Sequence, residues 1–493
     1  MPGPPPQLKK SAPGWAGLWL GGKALKHVVF KMQLDPPRSP NQRDAAVLRE
    51  LAPSAGLSPP AAASEDLTGP LSDELLLRIL SQLPPPLRDS AGLVCKRWLR
   101  LLGRLRRSLT LLDWSFLDGP SRRLDERFPE LTEVDLVPAS ISPPVVPSGV
   151  LLTRGPLSVL LESEFEESSG PLRGFLPECR FLPSDTVDQG LTILAQACPG
   201  LQKLSLVAVA SEPGMLKVAD ECLTLQELHL HRCTDSALRP ISAFRNLQIL
   251  KLVGSVEGLY GGPGITDIGL TILAHGCKRV VKLELSGCEG SYDGISAIGH
   301  CCLMLEELTI CEHRMDAGWT AGLSFCGNLK TLTLQGCRTI DVDPGPIEHL
   351  GSCPAIERLH LQRCQLRDKS SLNALFLVCE AVREMVFHDC WGLDDDMFAI
   401  ASICRRVKLV SLEGCSMLTT GGLESVVLSW KDLQMLGVVS CTKIRDAEVT
   451  PALSSLFSVL KELKWRPDSR SVLEMSLAGT GMGKKGGRFF KRT

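Results

Sequence analysis

The chain has 493 residues, a length typical of two or three domains, and its 54 Lys and Arg residues almost balance its 55 Asp and Glu residues. The resulting net charge of -1 disfavours general nucleic-acid binding, because contacts with phosphates require a surplus of cations. Hydrophobic residues make up 44% of the chain, which excludes disorder of the whole, and 19 cysteines without a C-x-x-C pair are typical of a reduced intracellular protein.

Residues 1–67 are rich in Pro and Ala and are predicted to form a disordered N-terminal segment. An apolar stretch at 14–22 ends at Lys23, before it reaches the length of a signal-peptide core, so we expect no secretion. The basic composition of the first 50 residues leaves an organelle transit peptide as an alternative. Residues 136–153 are uncharged but contain four prolines, which favour a loop over a transmembrane helix.

Residues 71–114 predict two short helices. Ser72 is a suitable N-cap, and the first helix is expected to run to about Leu83, where Pro84 and two further prolines stop it. Six of its nine residues from Leu75 to Leu83 are apolar, which leaves hardly any polar face. A segment of about 45 residues is too small to bury such a helix by itself, so a partner protein is implied. A second helix is predicted from about residue 89 to 102, with Lys96, Arg97 and Arg100 on a solvated face.

The rest of the chain is a repeat. The frame L-x-x-L-x-L-x-x-C, or a weaker copy of it, occurs eleven times from Leu201 to Leu460 at spacings of 22 to 33 residues, and an outlier begins at Leu131. Each unit combines a strand of period 2 with a helical stretch that cannot be buried alone, so the units must stack. The predicted fold class is α/β: a leucine-rich-repeat horseshoe solenoid, with a parallel sheet inside and helices outside, preceded by a small all-helical domain.

The cysteines follow the same register. Seven occupy the last position of the frame and eight lie three residues before it, at the end of the helix, which accounts for fifteen of the 19. Because free cysteine is among the most buried residue types, we expect these to be structural. Histidines do not occur at ligand spacing, so neither a metal nor any other cofactor is expected.

Two insertions interrupt the repeats, near 137–184 and 254–264, and a basic, Gly-rich tail follows at 469–493. The tail departs from a phosphate-binding loop because Lys485 stands where Ser or Thr should hold magnesium. It is interpreted as a disordered solubilising end or, alternatively, as a nuclear-import or docking signal. Motifs of hydrolases and metalloproteases are absent from the sequence, so the chain is expected not to be an enzyme.

Alternate residues of the strands should point away from the core onto the concave face. That row is polar and mixed in sign, which suits a protein or peptide target better than a phosphate-rich ligand. The residues assigned to target binding are His229, His231, Lys282, Glu284, Arg358, His360, Glu384 and His388.

The helical segment resembles an F-box, a pattern of Leu-Pro-x-Glu, a Leu-rich helix and a later Val-Cys-Lys-x-Trp. Nine positions match, and Ser72 replaces the proline of the pattern; the matches are Leu71, Glu74, Ile79, Leu80, Leu83, Val94, Cys95, Lys96 and Trp98. The sequence Ile265-Thr266-Asp267-x-Gly269-Leu270 before a Cys-ended frame is similar to the cysteine-containing repeats of F-box/LRR proteins, and residues 68–493 resemble a plant subgroup of that family. The predicted domains are the N-terminal segment 1–67, an F-box at 68–118, the solenoid at 119–468 and the tail at 469–493.

The resemblance implies a non-catalytic subunit of an SCF-type ubiquitin ligase, located in the cytoplasm, the nucleus or both. It implies binding of a Skp-like adaptor, and through it a cullin, by Leu71, Glu74, Leu75, Ile79, Leu80 and Trp98. The target protein is unknown, and neither nucleic acid nor membrane is an expected partner. Two alternatives are a small-molecule (hormone-type) co-receptor and an F-box scaffold that acts without a cullin.

Overall fold

The structure is a computed structural model that describes residues 28–30, 68–117, 122–140, 150–152, 181–208, 212–255, 264–345 and 350–468. Within these residues, one fifteen-stranded sheet runs through the molecule, and thirteen of its strands are parallel. The strands are β1 (Val28–Phe30), β2 (Ser108–Leu111), β3 (Glu133–Asp135), β4 (Val150–Leu152), β5 (Lys203–Val207), β6 (Glu227–His231), β7 (Ile249–Val253), β8 (Lys282–Ser286), β9 (Glu307–Cys311), β10 (Thr331–Gln335), β11 (Arg358–Gln362), β12 (Glu384–His388), β13 (Leu409–Glu413), β14 (Met435–Val439) and β15 (Glu462–Arg466).

Helices cover the outer side of the sheet, and three of them lie between β1 and β2 in the chain. They are α1 (Asp73–Gln82), α2 (Pro85–Ala91), α3 (Lys96–Gly103), α4 (Arg122–Arg127), α5 (Ser184–Ala197), α6 (Pro213–Glu221), α7 (Asp267–Gly276), α8 (Tyr292–Cys301), α9 (Trp319–Gly322), α10 (Lys369–Val378), α11 (Asp395–Ala399), α12 (Thr420–Val427) and α13 (Pro451–Val459). Short 3-10 helices occupy Trp114–Phe116, Pro138–Ser140, Asp235–Ala243, Leu323–Phe325, Ile400–Ile403 and Asp446–Glu448. The predicted solenoid with a helical domain before it is confirmed.

The sheet starts earlier in the chain than the sequence indicated. Strand β2 lies within the residues assigned to the helical domain, yet it pairs in parallel with β3, which is the outlier repeat. Strand β1 falls in the segment predicted to be disordered, and it pairs antiparallel with β4, which in turn pairs with β2. Most of the first insertion, much of the second, the remainder of 1–67 and the tail beyond residue 468 lie outside the described residues, so the domain boundaries stay a prediction.

A left-handed residue follows most strands of the solenoid and turns the chain inward. Gly287, Gly336 and Gly414 have φ between 58° and 69° at this position, where glycine carries no steric penalty. The following residue is the frame cysteine, and its thiol reaches back to a strand carbonyl of the preceding repeat. The Sγ of Cys364 lies 3.3 Å from the Leu334 oxygen, and that of Cys390 lies 3.2 Å from the Leu361 oxygen.

The cysteines at the helix ends form a second ladder. The thiol of Cys353 lies 3.2 Å from the backbone oxygen of Cys326, and the thiol of Cys222 lies 3.4 Å from that of Cys198. All fifteen periodic cysteines are free and buried, as predicted, because each turn stacks on the next and closes over the thiol. Burial raises the pKa of Cys198 to about 12.

An aspartate at the start of each of several helices joins neighbouring repeats. Asp267 accepts hydrogen bonds at 2.8 Å from both the backbone N–H and the hydroxyl of Ser291, which caps the next helix. Gly294 leaves room for this bond, since a Cβ there would lie 2.4 Å from the Asp267 carboxylate. The Thr-Asp-x-Gly element of the sequence is therefore an inter-repeat connection.

Candidate functional site

Helices α1 to α3 form a small module with a core of its own, built from Leu76, Leu80, Ala91, Leu101 and Leu102. Ser72 caps α1 as predicted, accepting a hydrogen bond from the Leu75 N–H at 3.3 Å. The proline run separates α1 from the next helix, because Pro85 begins α2. The predicted second helix is divided into α2 and α3.

The burial of Leu80 corrects one predicted adaptor contact. Its side chain is only 1% exposed because α1 packs this face on α3, so it supports the module from inside. The inference that so small a segment could not bury its apolar helix was therefore wrong for half of the helix. Leu71 and Trp98 also pack against this core and are half-buried, whereas Glu74 is exposed.

The other half of α1 is open to solvent. Leu75 is 53% exposed and Ile79 is 52% exposed, one turn apart on the same side of the helix. Leu87, Leu93 and Val94 of the neighbouring segments are also exposed. We call these five residues the apolar face of the module. Leu87, Leu93 and Val94 are not among the residues predicted to bind the adaptor. A Leu-Val pair directly before a helix N-cap is the sequence signal that could have indicated Leu93 and Val94.

Arg97 holds the N-terminal end of the module together. Its guanidinium donates to Asp73 Oδ1 at 2.8 Å and to the backbone oxygen of Thr68 at 3.0 Å, and it also bonds the Leu71 oxygen. The hydrogen bond from Arg97 lowers the pKa of the Asp73 carboxyl. The prediction of a fully solvated basic face is thus wrong for Arg97, which is partly buried, whereas Arg100 is mostly exposed.

The exposure of the side chains on the concave face of the sheet changes along the solenoid. On β5, β6 and β7 the outward-pointing residues at the third and fifth positions are buried, whereas on β9 to β14 they are half-exposed. Val137 and Phe181, near the two ends of the first insertion, pack on Val207 of β5, and Phe181 also lies beside Arg232. The N-terminal part of the face is therefore closed.

This closure corrects two predicted target contacts. His231 is 1% exposed, and burial lowers its pKa to about 3, so it stays neutral. His229 is also buried, and its Nε2 lies 2.7 Å from Glu227 Oε1, which receives Lys203 Nζ at 2.6 Å. The bond to His229, helped by Lys203, lowers the pKa of Glu227 to about 2.

Charges on the next strands are also paired across the sheet. Lys251 Nζ lies 2.9 Å from Glu284 Oε1, and Lys282 Nζ lies 3.4 Å from Glu307 Oε2. Two further predicted target residues, Lys282 and Glu284, therefore already face opposite charges. Parallel register produces these pairs, because Lys251 lies directly opposite Glu284.

The other four predicted target residues lie on adjacent strands β11 and β12 of the open part. Arg358 donates to the Thr331 hydroxyl at 2.8 Å, away from β12, and His360 Nε2 lies 3.4 Å from Glu384 Oε1. His388 stands between two carboxylates, 3.3 Å from Asp389 and 3.9 Å from Glu413. These four residues lie on adjacent strands, as the spacing of the repeats predicts, and their role in target binding stays a prediction.

Neither candidate surface contains a group of side chains that could hold a metal: the described ranges contain no cluster of three or more His, Cys, Asp or Glu with that geometry. In the same ranges, no helix combines the length and apolar character needed to cross a bilayer.

Comparisons with known proteins agree with this architecture. Residues 73–111 match the F-box-like family model. F-box/LRR-repeat protein 17 of Arabidopsis thaliana is 25% identical over 256 residues, which cover 47% of this chain and 41% of that protein. Coronatine-insensitive protein homolog 2 of Oryza sativa subsp. indica is 22% identical over 254 residues, 50% of this chain and 36% of that protein. The matched region thus spans about two-fifths of the length of these relatives.

Solved structures of internalins are also similar. One internalin of Listeria monocytogenes covers 57% of this chain and 79% of its own at 11% identity, with a TM-score of 0.32. Internalin C2 of the same organism covers 42% and 85% at 17% identity, with a TM-score of 0.26.

Proposed function

We propose that this chain, which joins an F-box-like module to a leucine-rich-repeat solenoid, is the substrate-recognition subunit of an SCF-type cullin ubiquitin ligase. In this role the module of α1 to α3 binds a Skp-like adaptor, and the adaptor attaches to a cullin. The solenoid presents a target protein for ubiquitin transfer and proteasomal degradation in the cytoplasm, the nucleus or both. The chain itself carries out no chemical step.

The observation that carries the proposal is the apolar face of the module, defined above by Leu75, Ile79, Leu87, Leu93 and Val94. Leu75 and Ile79 lie one helical turn apart on the same side of α1, and exposed apolar patches mark sites where another molecule binds. This face lies within the residues that match the F-box-like model. Burying a half-exposed Leu or Ile against a partner contributes about 1 kcal/mol or more for each side chain, enough for several such residues to determine binding.

The test is adaptor binding by a double variant, Leu75→Ser with Ile79→Ser. Both side chains point outward, so the module should stay folded while the pull-down of a purified Skp-like adaptor falls by at least about tenfold. The matched control is Leu303→Ser with Met304→Ser, which removes two apolar residues exposed to a similar degree on the solenoid. Adaptor binding that survives the first pair of substitutions, or is lost with the second, would contradict the proposal.

A further inference from the structure

The module of α1 to α3 carries a strong excess of positive charge. Residues 68–107 contain eight Lys and Arg residues but three Asp and Glu residues, a net charge of +5 in a chain whose net charge is -1. Part of this charge forms an exposed stripe along α3, because Lys96, Arg100 and Arg104 are spaced four residues apart and lie on one side of the helix. Arg104 is the C-cap and keeps helical backbone angles, so the spacing holds to the end of the stripe.

Little of this charge is neutralised by neighbouring carboxylates. Arg100 pairs with Asp73. Four other exposed cations make no ion pair in the described part of the chain: Arg78, Lys96, Arg104 and Arg107. The carboxylates of α1 and of the first repeat that are not paired with them are Glu74, Asp125, Glu126, Glu130 and Glu133. The stripe therefore presents cations that are available to another molecule.

The stability of α3 does not account for the position of Lys96. Lys96 is the first residue of the helix, where the positive end of the helix dipole disfavours a cation, and the first turn contains no carboxylate. Other helices of the chain have an aspartate at this position, as α7 has Asp267 and α11 has Asp395. An exposed cation at such a position gains more from a negatively charged partner than from its own helix.

The cations adjoin the apolar face of the module. Lys96 lies two residues after Val94, and Arg78 is next to Ile79, so a partner that covers the apolar face meets a cation at two of its borders. Protein interfaces commonly combine an apolar centre with a polar rim. Charges at the rim act mainly on the rate of association and on its dependence on salt.

We propose that the Skp-like adaptor presents an acidic surface to these cations, and that the attraction steers the adaptor onto the apolar face. Carboxylates of the adaptor pair with Lys96 and Arg104 along α3, and with Arg78 beside Ile79. The cations then determine how fast the complex forms, and burial of the apolar face determines how long it lasts. The inference rests on the proposed function, since it concerns the partner of the same module.

The test measures the association and dissociation rates of the full chain with a purified Skp-like adaptor at about 50 mM and about 500 mM NaCl. The double variant Lys96→Glu with Arg104→Glu reverses the charge of the stripe. Its matched control is Arg406→Glu with Lys431→Glu, which reverses one Arg and one Lys of the solenoid that are also exposed and without an ion pair. Thermal melts establish that both variants are folded.

We expect the association rate of the wild type to fall by about tenfold or more at the higher salt concentration. At the lower concentration the stripe variant should associate about tenfold more slowly than the wild type, with little change in the dissociation rate, and the control should behave like the wild type. An association rate that neither salt nor the stripe substitutions change would overturn the inference and leave the proposed function intact. A wild-type chain that does not bind the adaptor at either salt concentration would overturn both.

A fluorescent duplex oligonucleotide is titrated with the same three proteins, because nucleic acid is the other macromolecule that cations attract. We expect no binding that depends on the stripe. Tight binding that is lost in the stripe variant, together with an unchanged rate of adaptor association, would assign the stripe to nucleic acid and overturn the inference.

Discussion

Arg97 and Asp73 lie 24 residues apart in sequence, and their side chains meet at 2.8 Å between Nε and Oδ1. The contact joins the start of α1 to α3, and the same guanidinium bonds the backbone oxygens of Thr68 and Leu71. One arginine thus fixes the segment that enters the module, next to the apolar face formed by Leu75 and its neighbours.

Replacing Arg97 with Met should therefore loosen the module. The two hydrogen bonds to backbone carbonyls alone contribute about 2 kcal/mol, and their loss should increase hydrogen exchange in α1 and α3. Arg100→Met is the matched control, since Arg100 is mostly exposed and reaches Asp73 at 3.1 Å by a single bond. Exchange rates that rise equally in both variants would show that the hydrogen bonds from Arg97 to the two backbone carbonyls contribute nothing to the stability of the module.

Two adjacent glycines in α12 give a sharp test of the connection between repeats. A Cβ at Gly422 would lie 2.1 Å from Asp395 Oδ1, an atom that accepts the Thr419 N–H at 2.8 Å. Gly422→Ala should thus displace Asp395 and lower the free energy of unfolding by about 2 kcal/mol. A Cβ at Gly421 would make only an ordinary contact, 3.9 Å from Thr419 Oγ1, so Gly421→Ala should be neutral or stabilise the helix by up to about 1 kcal/mol. Equal thermal stability of the two variants would refute the connection.

The cysteine ladders predict which thiols react. In the native protein at pH 8, iodoacetamide should modify Cys95, Cys301 and Cys311, which are half-buried, and leave the fifteen periodic cysteines unmodified. Burial also raises the pKa of Cys222 to about 11, so its reactive thiolate is scarce even when the thiol becomes accessible. Peptide mapping by mass spectrometry checks this, with labelling in denaturant as the control. Rapid native modification of Cys364 or Cys390 would contradict the stacked turns.

The stacked strands and helices of the solenoid can be predicted from the sequence, because a repeat is recognisable by the regular spacing of its apolar residues. The frame places Leu228 and Leu230 in the core and their neighbours outside, and a parallel stack leaves no freedom in register. The sequence could not show that His231 is buried, since Val137 and Phe181, which are distant in sequence, pack on Val207, the residue opposite His231 in the register. It also could not divide the leucines of α1 between the core and the apolar face, because every side of the helix is apolar and only the position of α3 distinguishes them.

Acid should destabilise the solenoid through His313, which is half-buried. Burial lowers the pKa of His313 to about 4, and its Nδ1 accepts the Met315 N–H at 3.2 Å, so the ring is neutral when folded. An unfolded histidine binds a proton near pH 6.5, so the unfolded state gains protons first as the pH falls. Between pH 7 and pH 5 this single group should cost about 2 kcal/mol of stability, and the loss should level off below the folded pKa.

The variant His313→Asn keeps a hydrogen-bond acceptor but does not titrate. Denaturant melts at pH 7 and pH 5 should show a smaller drop in stability for His313→Asn than for the wild type. If His313→Asn loses as much stability between pH 7 and pH 5 as the wild type, His313 is already accessible to protons in the folded state.

We propose that the apolar face of the module connects this chain to a ubiquitin ligase. The most direct measurement is size-exclusion chromatography of the purified chain with a Skp-like adaptor and a cullin, with light scattering to determine the stoichiometry. We predict one complex that contains all three proteins in equal amounts, and its loss when Leu75 and Ile79 are replaced by Ser. Elution of the chain with the adaptor but without the cullin would support a scaffold instead, and elution of the chain alone would contradict the account.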